Sequence, residues 1–335
     1  MKVTVASARV GVVIPSFRVR DQVLAVLGKV GPEVSRIYVV DDCCPDGSGD
    51  LVREQCDDPR VTVLRHDENQ GVGGAVITGY RAALDDGMEI IVKVDGDGQM
   101  DPSLLPDFIA PVVAGEADYA KGNRFFNPED VRGMPRGRLL GNAVLSLMTK
   151  LSSGYWDLFD PMNGYTAIHG AVAGHLPLDK ISKGYFFETE MLIRLNTLRA
   201  VVVDVPMSAR YGDERSNLKV SRIAGEFLVK HLRFLFKRIG YNYYLRDLSL
   251  ASIQLPLGLL MLLFGLGFGG CQWMESARAG VSTSAGTVML AALPLLVGIQ
   301  LVLAFIGFDV ASVPRRPIQG RLLPRRNRQH GQTGL

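Results

Sequence analysis

Residues 89–103 read EIIVKVDGDGQMDPS, a short apolar run followed at once by an acidic, glycine-rich loop. The apolar run predicts a buried strand, and the glycines allow the backbone to turn where it ends. Asp95 and Asp97 lie two residues apart in that turn, so their carboxylates can converge on one divalent cation or on its bound waters. Such oxygens suit Mg²⁺ or Mn²⁺, which bind through one or two carboxylates plus substrate phosphates. An exposed acidic turn would have the same short pattern.

The same alternation of strand and helix extends from about Val10 to Val205. The β-rich runs are VGVVIP, RIYVVDD, VTVLRH, EIIVKVD and AVVVDVP, and helical patterns such as RDQVLAVLGKV and GAVITGYRAAL lie between them. Strands joined by crossover helices predict an α/β fold with a mostly parallel sheet flanked by helices. Ligands bind such sheets at the carboxyl ends of the strands, which is where Asp41, Asp42 and the Asp95–Asp97 loop fall.

Two long intervals near the C-terminus, 248–274 and 279–308, contain no Asp, Glu, Lys or Arg. Each exceeds the roughly 20 apolar residues that a bilayer-crossing helix needs. A pair of buried core helices is the alternative, but these runs have no polar face. The sequence therefore predicts a transmembrane hairpin at 247–310, with spans at about 250–273 and 287–308.

Basic residues flank the outer ends of this hairpin, whereas the loop between the spans has only Glu275 and Arg278 as charged residues. The positive-inside rule therefore predicts that both termini and the first part of the chain lie on the cytoplasmic side of the inner membrane. The short apolar run at the N-terminus does not suggest a cleaved signal peptide. The flanking basic residues are Lys219, Arg222, Lys230, Arg233, Lys237, Arg238 and Arg246 before the first span, and Arg315, Arg316, Arg321, Arg325, Arg326 and Arg328 after the second.

Two further segments predict helices at the membrane surface. Residues 137–153, GRLLGNAVLSLMTKLSS, carry apolar side chains at helical spacing, and residues 222–240, RIAGEFLVKHLRFLFKRIG, combine aromatic and aliphatic side chains with basic ones. An ordinary core-packing helix is the alternative for each.

Charge and cysteine content exclude other classes of protein. The net charge of +3 does not predict nucleic-acid binding, which normally needs a dense basic face. The four cysteines have neither metal-ligand spacing nor the pattern of a disulfide framework. The segment GVGGAV lacks the third glycine of a dinucleotide fingerprint, and no Walker GK[ST] sequence is present, so two common nucleotide-binding folds are disfavoured.

Four motifs occur in order along the predicted strand ends: VVIPSF, VVDDCCPDGS, ENQGVGGA and VDGDGQMDP. Together they resemble the family 2 glycosyltransferases of GT-A fold, and most closely the branch with dolichyl-phosphate mannose synthase and bacterial polyprenyl-phosphate glycosyltransferases. The resemblance covers roughly residues 10–220. It implies inverting, metal-dependent transfer of a hexose from a UDP- or GDP-linked sugar to a polyprenyl phosphate such as undecaprenyl phosphate.

The resemblance also implies roles for individual residues on the donor side. Asp42 would accept hydrogen bonds from the base or ribose, with Asp41 in support, and Asp95 and Asp97 would hold Mg²⁺ or Mn²⁺. The segment YGDERSNLK would offer Arg215, Ser216 and Lys219 to the pyrophosphate or the lipid phosphate. The full set of donor-side candidates is Pro15, Ser16, Asp41, Asp42, Gly71, Gly73, Gly74, Asp95, Asp97, Gln99, Arg124, Arg215 and Lys219.

On the acceptor side the resemblance implies phosphate contacts and one or two catalytic carboxylates. Arg124, Arg136 and Arg138 would bind the lipid phosphate; for the latter two, contact with lipid headgroups is an equal alternative. Asp160, in FDPMNGY, would be a catalytic base or an orienting group. In KGYFFETEMLIRL, Glu190 takes the family's Glu position and Glu188 stands where Gln is usual, so Glu190 is predicted to be the site residue.

The predicted division is a GT-A catalytic domain at 1–220, a juxtamembrane amphipathic helix at 221–246, the hairpin, and a basic cytoplasmic tail at 311–335. One rival is a glycosyltransferase that extends a lipid-linked saccharide or a polysaccharide through a sugar hydroxyl; another is a non-catalytic membrane scaffold. Membrane lipid is an expected partner. Glycines in the first span could also support a homo-oligomer.

Overall fold

The computed structural model describes residues 8–126, 136–208 and 220–322. The chain divides into two compact units. The first comprises the described residues up to Phe234 together with those from Pro314 onward, and the second comprises Leu235–Val313. The segment that follows the predicted hairpin therefore belongs, as far as it is described, to the same unit as the sheet.

Within the described ranges, seven strands form one sheet in the first unit. They are β1 (Val10–Ser16), β2 (Arg36–Asp41), β3 (Val61–Arg65), β4 (Ile90–Lys93), β5 (Tyr119–Asn123), β6 (Thr166–His169) and β7 (Val202–Pro206). Their order is β3-β2-β1-β4-β6-β5-β7. The two pairs that involve β6 are antiparallel and the other four are parallel. The predicted mostly parallel sheet is confirmed, whereas the sequence patterns do not predict β5 and β6.

The reversed strand β6 determines which loops meet. Thr166, at the start of β6, lies opposite Lys93 at the end of β4. The loop before β6, which contains FDPMNGY, therefore emerges at the same edge of the sheet as the loops that follow the parallel strands. This edge carries Asp41 and the Asp95–Asp97 loop as well.

Helices cover the sheet and extend into the second unit. Ten α-helices are assigned within the described ranges: α1 (Val23–Leu27), α2 (Ser48–Gln55), α3 (Val72–Asp85), α4 (Leu105–Val113), α5 (Arg136–Ser153), α6 (Gly170–Ala173), α7 (Phe187–Leu198), α8 (Val220–Gly240), α9 (Leu250–Ala279) and α10 (Ala285–Ala311).

The core forms because the central strands are apolar on both faces. Strands β1 and β4 are buried throughout, as expected for strands covered by helices on each side. Helix α3 lies close to β1 at Gly79, where a Cβ atom would come within 2.3 Å of Val13 Cγ1. On the other side of the sheet, Phe108 of α4 stacks on Tyr165 with ring centroids 3.9 Å apart. These contacts leave the polar loops at the strand ends for the site.

The second unit is built around the two long apolar helices. Helices α9 and α10 have mean hydropathies of 1.9 and 2.5 and are long and apolar enough to cross a membrane. They lie close together at glycines, since a Cβ atom on Gly265 would be 2.9 Å from the carbonyl oxygen of Ala291. In the same unit Arg238 pairs with buried Asp309 at 2.6 Å.

The residues after α10 bind back to the sheet unit. Asp118, which is completely buried at the start of β5, accepts hydrogen bonds from the backbone N–H groups of Ile318 and Gln319 at 2.8–3.0 Å, and from that of Val201 at 2.7 Å. The side chain of Gln319 donates to the carbonyl oxygens of Val112 and Ala117. We call residues 314–322 the C-terminal strap.

Candidate active site

The acidic loop after β4 is held in a tight turn. Gly98 adopts φ +78°, a conformation that favours glycine, and Asp97 Oδ1 accepts a hydrogen bond from the N–H of Gln99 at 3.0 Å. The Asp95 side chain is 27% exposed. Among the described residues, no group of three or more His, Cys, Asp or Glu side chains is placed to hold a metal. A two-carboxylate loop suits a metal that takes other ligands from a diphosphate and water, as Mg²⁺ commonly does.

A buried lysine lies behind this loop. The side chain of Lys93 is 1% exposed, and its Nζ atom lies 2.8 Å from Asp95 Oδ1 and 3.4 Å from Glu188 Oε1. It also donates to the carbonyl oxygen of Gly164 at 3.1 Å. Burial lowers the pKa of Lys93, but the Asp95 and Glu188 carboxylates outweigh burial and leave the pKa above the ordinary lysine value. Lys93 is therefore a fixed positive charge inside the acidic edge.

The carboxylate of Asp42 lies inside the domain and is occupied by the chain's own groups. Its Oδ1 atom accepts from the N–H of Gln70 and contacts His66 Nδ1 at 2.7 Å, while Oδ2 accepts from the N–H of Gly71. The other ring nitrogen of His66 lies 2.8 Å from the hydroxyl of Thr78. Asp42 thus fixes the glycine turn that begins α3. A direct contact between Asp42 and the donor stays a prediction.

The neighbouring strand ends are equally buried. Ser16 at the end of β1 is paired in register with Asp41 at the end of β2, and both are about 1% exposed. Asp41 Oδ1 accepts from the N–H of Cys44, so Asp41 shapes the loop that follows β2. Pro15 precedes Ser16 in β1, and the predicted nucleotide contacts of these residues are not tested by their geometry.

The glycine turn packs against backbone from another part of the chain. The N–H groups of Gly73 and Gly74 donate to the carbonyl oxygen of Lys183 at 2.7 and 3.2 Å. A Cβ atom on Gly73 would lie 2.5 Å from the carbonyl oxygen of Ser182, so glycine is required by this close approach. The turn does begin a helix, and its first amides bind the KGYFF segment.

Arg124 and Asp160 form a bidentate ion pair at the same edge of the sheet. Arg124 donates through Nε to Asp160 Oδ2 at 2.7 Å and through a terminal nitrogen to Oδ1 at 3.1 Å. The Asp160 side chain is 2% exposed, whereas that of Arg124 is 30% exposed. Asn163 Nδ2 donates to Asp160 Oδ2 at 3.3 Å. Because both carboxylate oxygens are bonded, the contacts favour an orienting role for Asp160 over that of a base.

The two glutamates at the start of α7 have different surroundings. Glu190 accepts from the N–H and hydroxyl of Ser182 and from the guanidinium of Arg194, which buries it within the first unit. Glu188 instead contacts Lys93 beside Asp95. The structure therefore brings Glu188 to the acidic loop, whereas Glu190 is packed against Ser182 and Arg194 and its predicted site role stays a prediction. The cause is the turn of the helix, because residues two apart face different directions.

Two further ionisable groups lie near the Arg124–Asp160 pair. Burial lowers the pKa of Lys121 to about 8, with nearby Glu188 and Asp160 opposing the shift. Burial raises the pKa of Asp204 to about 6, and the N–H of Phe159 donates to this carboxyl. No motif in the sequence predicts a role for Lys93, Lys121, His66 or Asp204. A lysine within an apolar strand such as IIVK was the available signal for Lys93.

Five predicted phosphate-binding residues cannot be placed in the site by their contacts. The segment with Arg215, Ser216 and Lys219 lies outside the described residues. Arg136 and Arg138 belong to the first turn of α5, but their side chains are outside the described part of the structure. Their roles stay predictions.

The predicted surface helices form and contact each other. Ser152 Oγ of α5 lies 2.8 Å from His231 Nδ1 of α8, and Phe186 packs edge-on against His231. Both helices expose large apolar side chains: Leu139, Leu140, Val144 and Leu147 on α5, and Leu228, Val229 and Leu232 on α8. Exposed apolar side chains of this kind are typical of helices at a membrane surface, and the surface location of both helices stays a prediction.

Comparisons with known proteins agree with this geometry. A model of the family described as Glycosyl transferase family 2 matches residues 12–174. An undecaprenyl-phosphate mannosyltransferase from Micrococcus luteus is 31% identical over 230 residues, covering 68% of this chain and 93% of that protein. A polyprenol monophosphomannose synthase from Mycolicibacterium smegmatis is 32% identical over 220 residues, covering 64% of this chain and 80% of that protein.

A solved structure shares the fold. Glucosyl-3-phosphoglycerate synthase from Mycobacterium tuberculosis, in complex with Mn²⁺, UDP and glucosyl-3-phosphoglycerate, superposes with a TM-score of 0.53 at 18% identity, over 70% of this chain and 81% of that one. The sheet and its acidic edge define a glycosyltransferase with a GT-A type fold. The chain belongs to glycosyl transferase family 2. The predicted fold, family and enzyme class are thereby confirmed.

Proposed function

We propose that this enzyme transfers a hexose from a nucleotide sugar to a polyprenyl phosphate at the cytoplasmic face of a membrane. The observation that carries the proposal is that the Asp95–Asp97 loop and the Arg124–Asp160 pair share one edge of the sheet in a chain with two candidate membrane spans. The relatives are named for the transfer of mannose to undecaprenyl phosphate or for the synthesis of polyprenol monophosphomannose. Mannose is therefore the first sugar to test.

The donor side would use the acidic loop. Asp95 and Asp97 would hold Mg²⁺ or Mn²⁺, which would neutralise the charge that develops on the departing nucleoside diphosphate. The bond between Asp97 and the Gln99 N–H fixes one carboxylate before the donor arrives, and Lys93 fixes the other. Such fixed groups need little rearrangement during the reaction. Pro15, Ser16 and Asp41 would border the nucleoside, and Arg215 and Lys219 would bind its diphosphate.

The acceptor side favours a phosphate. A lipid monophosphate is already largely ionised near neutral pH, so direct displacement at the anomeric carbon requires no base. The Asp160 carboxylate, with both oxygens bonded to Arg124, would hold that guanidinium toward the acceptor phosphate. Arg136, Arg138 and Ser216 are further candidates for phosphate contacts. Direct displacement would invert the anomeric centre.

The membrane arrangement is supported by charge and by the C-terminal strap. Basic residues concentrate at the outer ends of the candidate spans, which favours a cytoplasmic location for both ends. Gln319, which follows the second span, is bonded to Asp118 in the sheet unit. Both ends of the hairpin and the catalytic domain would therefore lie on the same side of the membrane, where nucleotide sugars are made.

The test is a transfer assay with the full chain in detergent or vesicles. Radiolabelled GDP- and UDP-sugars are incubated with undecaprenyl phosphate, with and without Mg²⁺ or Mn²⁺, and the lipid product is identified by mass spectrometry. Asp97→Ala should abolish transfer, whereas Asp107→Ala, an exposed aspartate of α4, should leave it unchanged. Transfer that survives Asp97→Ala would refute the proposed role of Asp97 in holding the metal. Transfer only to the hydroxyl of a lipid-linked saccharide would refute the proposal that the acceptor is a polyprenyl phosphate.

A further inference from the structure

Two buried lysines flank the reversed strand. Lys93 of β4 and Lys121 of β5 both lie opposite Thr166 in the register of the sheet, one on each side of β6. Directly opposite residues on neighbouring strands project to the same face. The two side chains are 1% and 0% exposed. Two ammonium groups are thus buried in one row across the sheet.

Both lysines bind the same turn. Lys93 Nζ donates to the carbonyl oxygen of Gly164, and Lys121 Nζ donates to that of Asn163. These carbonyls are consecutive and belong to the FDPMNGY loop that precedes β6. A Cβ atom on Gly164 would lie 2.6 Å from Lys93 Nζ and 2.9 Å from Asp95 Oδ2, so the contact leaves no room for a side chain.

The turn joins the two halves of the site. On one side Lys93 contacts Asp95 and Glu188, and on the other Asn163 donates to Asp160, which pairs with Arg124. A continuous set of polar contacts therefore runs from the Asp95–Asp97 loop to the Arg124–Asp160 pair. Burying ammonium groups is costly, and apolar replacements are often as stable, so this arrangement calls for a reason other than stability.

We propose that Lys93 and Lys121 are positioning residues that fix the Asn163–Gly164 turn, and that Lys93 also sets the affinity of the acidic loop for its divalent cation. The second part rests on the proposed metal-dependent function. Lys93 and a dication compete for the charge of Asp95, and Glu188 shares the charge of Lys93. The affinity for the metal therefore depends on the balance of these three groups.

The first experiment measures Mn²⁺ binding by titration calorimetry in the presence of UDP and, separately, of GDP. Lys93→Met removes the competing cation and should tighten Mn²⁺ binding by about tenfold, because two positive charges a few ångströms apart repel each other even where solvent partly screens them. In Glu188→Gln only Asp95 remains to pair with the charge of Lys93, so Mn²⁺ binding should weaken by a similar factor. The double variant restores the net charge and should bind within about threefold of the original chain.

The second experiment measures hydrogen exchange by mass spectrometry and needs no metal. Lys93→Met should raise exchange in peptides covering both 94–101 and 158–166, because Lys93 contacts both segments. Lys121→Met should raise it only in 158–166 and should leave Mn²⁺ affinity unchanged. A purely structural role would lower the melting temperature without tightening metal binding.

The outcomes separate the proposals. The role of Lys93 in metal affinity would be overturned if folded Lys93→Met bound Mn²⁺ with unchanged or weaker affinity. It would also be overturned if Glu188→Gln bound Mn²⁺ with unchanged affinity. Unchanged exchange in 158–166 for both lysine variants would overturn the positioning role. Absence of Mn²⁺ binding by the original chain would instead refute the metal step of the proposed function, and the exchange experiment would still decide whether the lysines fix the turn. If Lys93→Met does not fold, Glu188→Gln tests the effect on metal affinity and Lys121→Met tests the positioning of the turn.

Discussion

The buried carboxylate of Asp118 offers the sharpest stability prediction. It accepts hydrogen bonds from three backbone N–H groups, of which two belong to the C-terminal strap and one to Val201. Asp118→Asn keeps the shape of the side chain but replaces one acceptor oxygen with an NH₂ group. At least one backbone N–H then loses its acceptor and faces another donor, because an amide has only one oxygen to offer.

The cost follows from that geometry. A hydrogen bond to a charged group contributes about 1.5–3 kcal/mol, and a buried donor left without a partner costs about 1–3 kcal/mol. Allowing for partial rearrangement, we expect Asp118→Asn to lower the free energy of unfolding by about 2–4 kcal/mol. In a unit of this size that corresponds to a decrease of about 5–15 °C in melting temperature.

The assay is thermal unfolding of the detergent-solubilised chain, followed by far-UV circular dichroism, together with limited tryptic digestion. Asp118→Asn should increase cleavage after Arg321, within the strap, before the sheet unit is cleaved. Glu116→Gln removes the same charge from an exposed side chain two residues away and is the matched control. In a chain that ends at Val313, Asp118→Asn should lower the free energy of unfolding by less, because the N–H groups of Ile318 and Gln319 are no longer present. Equal effects of Asp118→Asn and Glu116→Gln on melting and on digestion would refute the reasoning.

Three further predictions concern Asp204, Asp309 and Gly164. The folded state holds the Asp204 proton up to about pH 6, because burial raises the pKa of this carboxyl, whereas the unfolded chain releases it at about pH 4. The contribution of Asp204 to the free energy of unfolding therefore falls as pH rises from about 4 to 6. Asp204→Asn should flatten the dependence of melting temperature on pH in this range and raise the melting temperature at pH 7.5. Asp309→Asn should cost about 3–5 kcal/mol by leaving Arg238 without its buried carboxylate, and the Arg238→Leu/Asp309→Leu pair should recover most of that loss in thermal unfolding. Gly164→Ala should slow sugar transfer by tenfold or more, since it displaces Lys93 and Asp95, and a rate near that of the original chain would contradict the close approach.

The sequence predicts those parts of the fold that local pattern encodes. Strands β1, β2 and β4 are apolar runs that end in polar loops, and the two long uncharged helices stand out by composition alone. Strands β5 and β6 escape prediction because YAKGN and TAIH are short, and one contains a lysine and a glycine. They become strands through pairing with neighbours that are distant in sequence, which no local pattern records.

The site shows the same division. The Asp95–Asp97 loop is recognisable because its residue types and glycines lie together in the chain. The partners of Asp42 lie 24–29 residues away, and the partner of Lys93 at Glu188 lies 95 residues away, so their pairing appears only in the folded chain. Glu188 and Glu190 differ by two positions, and only the orientation of α7 decides which one reaches Lys93.

The antiparallel strand β6 has a consequence for how such enzymes can change. Because β6 runs antiparallel to its neighbours, the loop at 154–165, between α5 and β6, lies at the same edge of the sheet as the Asp95–Asp97 loop. The acidic loop and the glycine turn, in contrast, both come from the part of the chain before β5. Under the proposed function, the segment 154–165 supplies Asp160, which positions Arg124 toward the acceptor phosphate, so part of acceptor recognition would be encoded in a separate segment with fixed ends. Exchanging that segment between relatives should then change the use of the acceptor, through the Asp160–Arg124 pair, while leaving the choice of nucleotide intact, provided that the incoming segment retains the Asn-Gly pair that the two lysines bind.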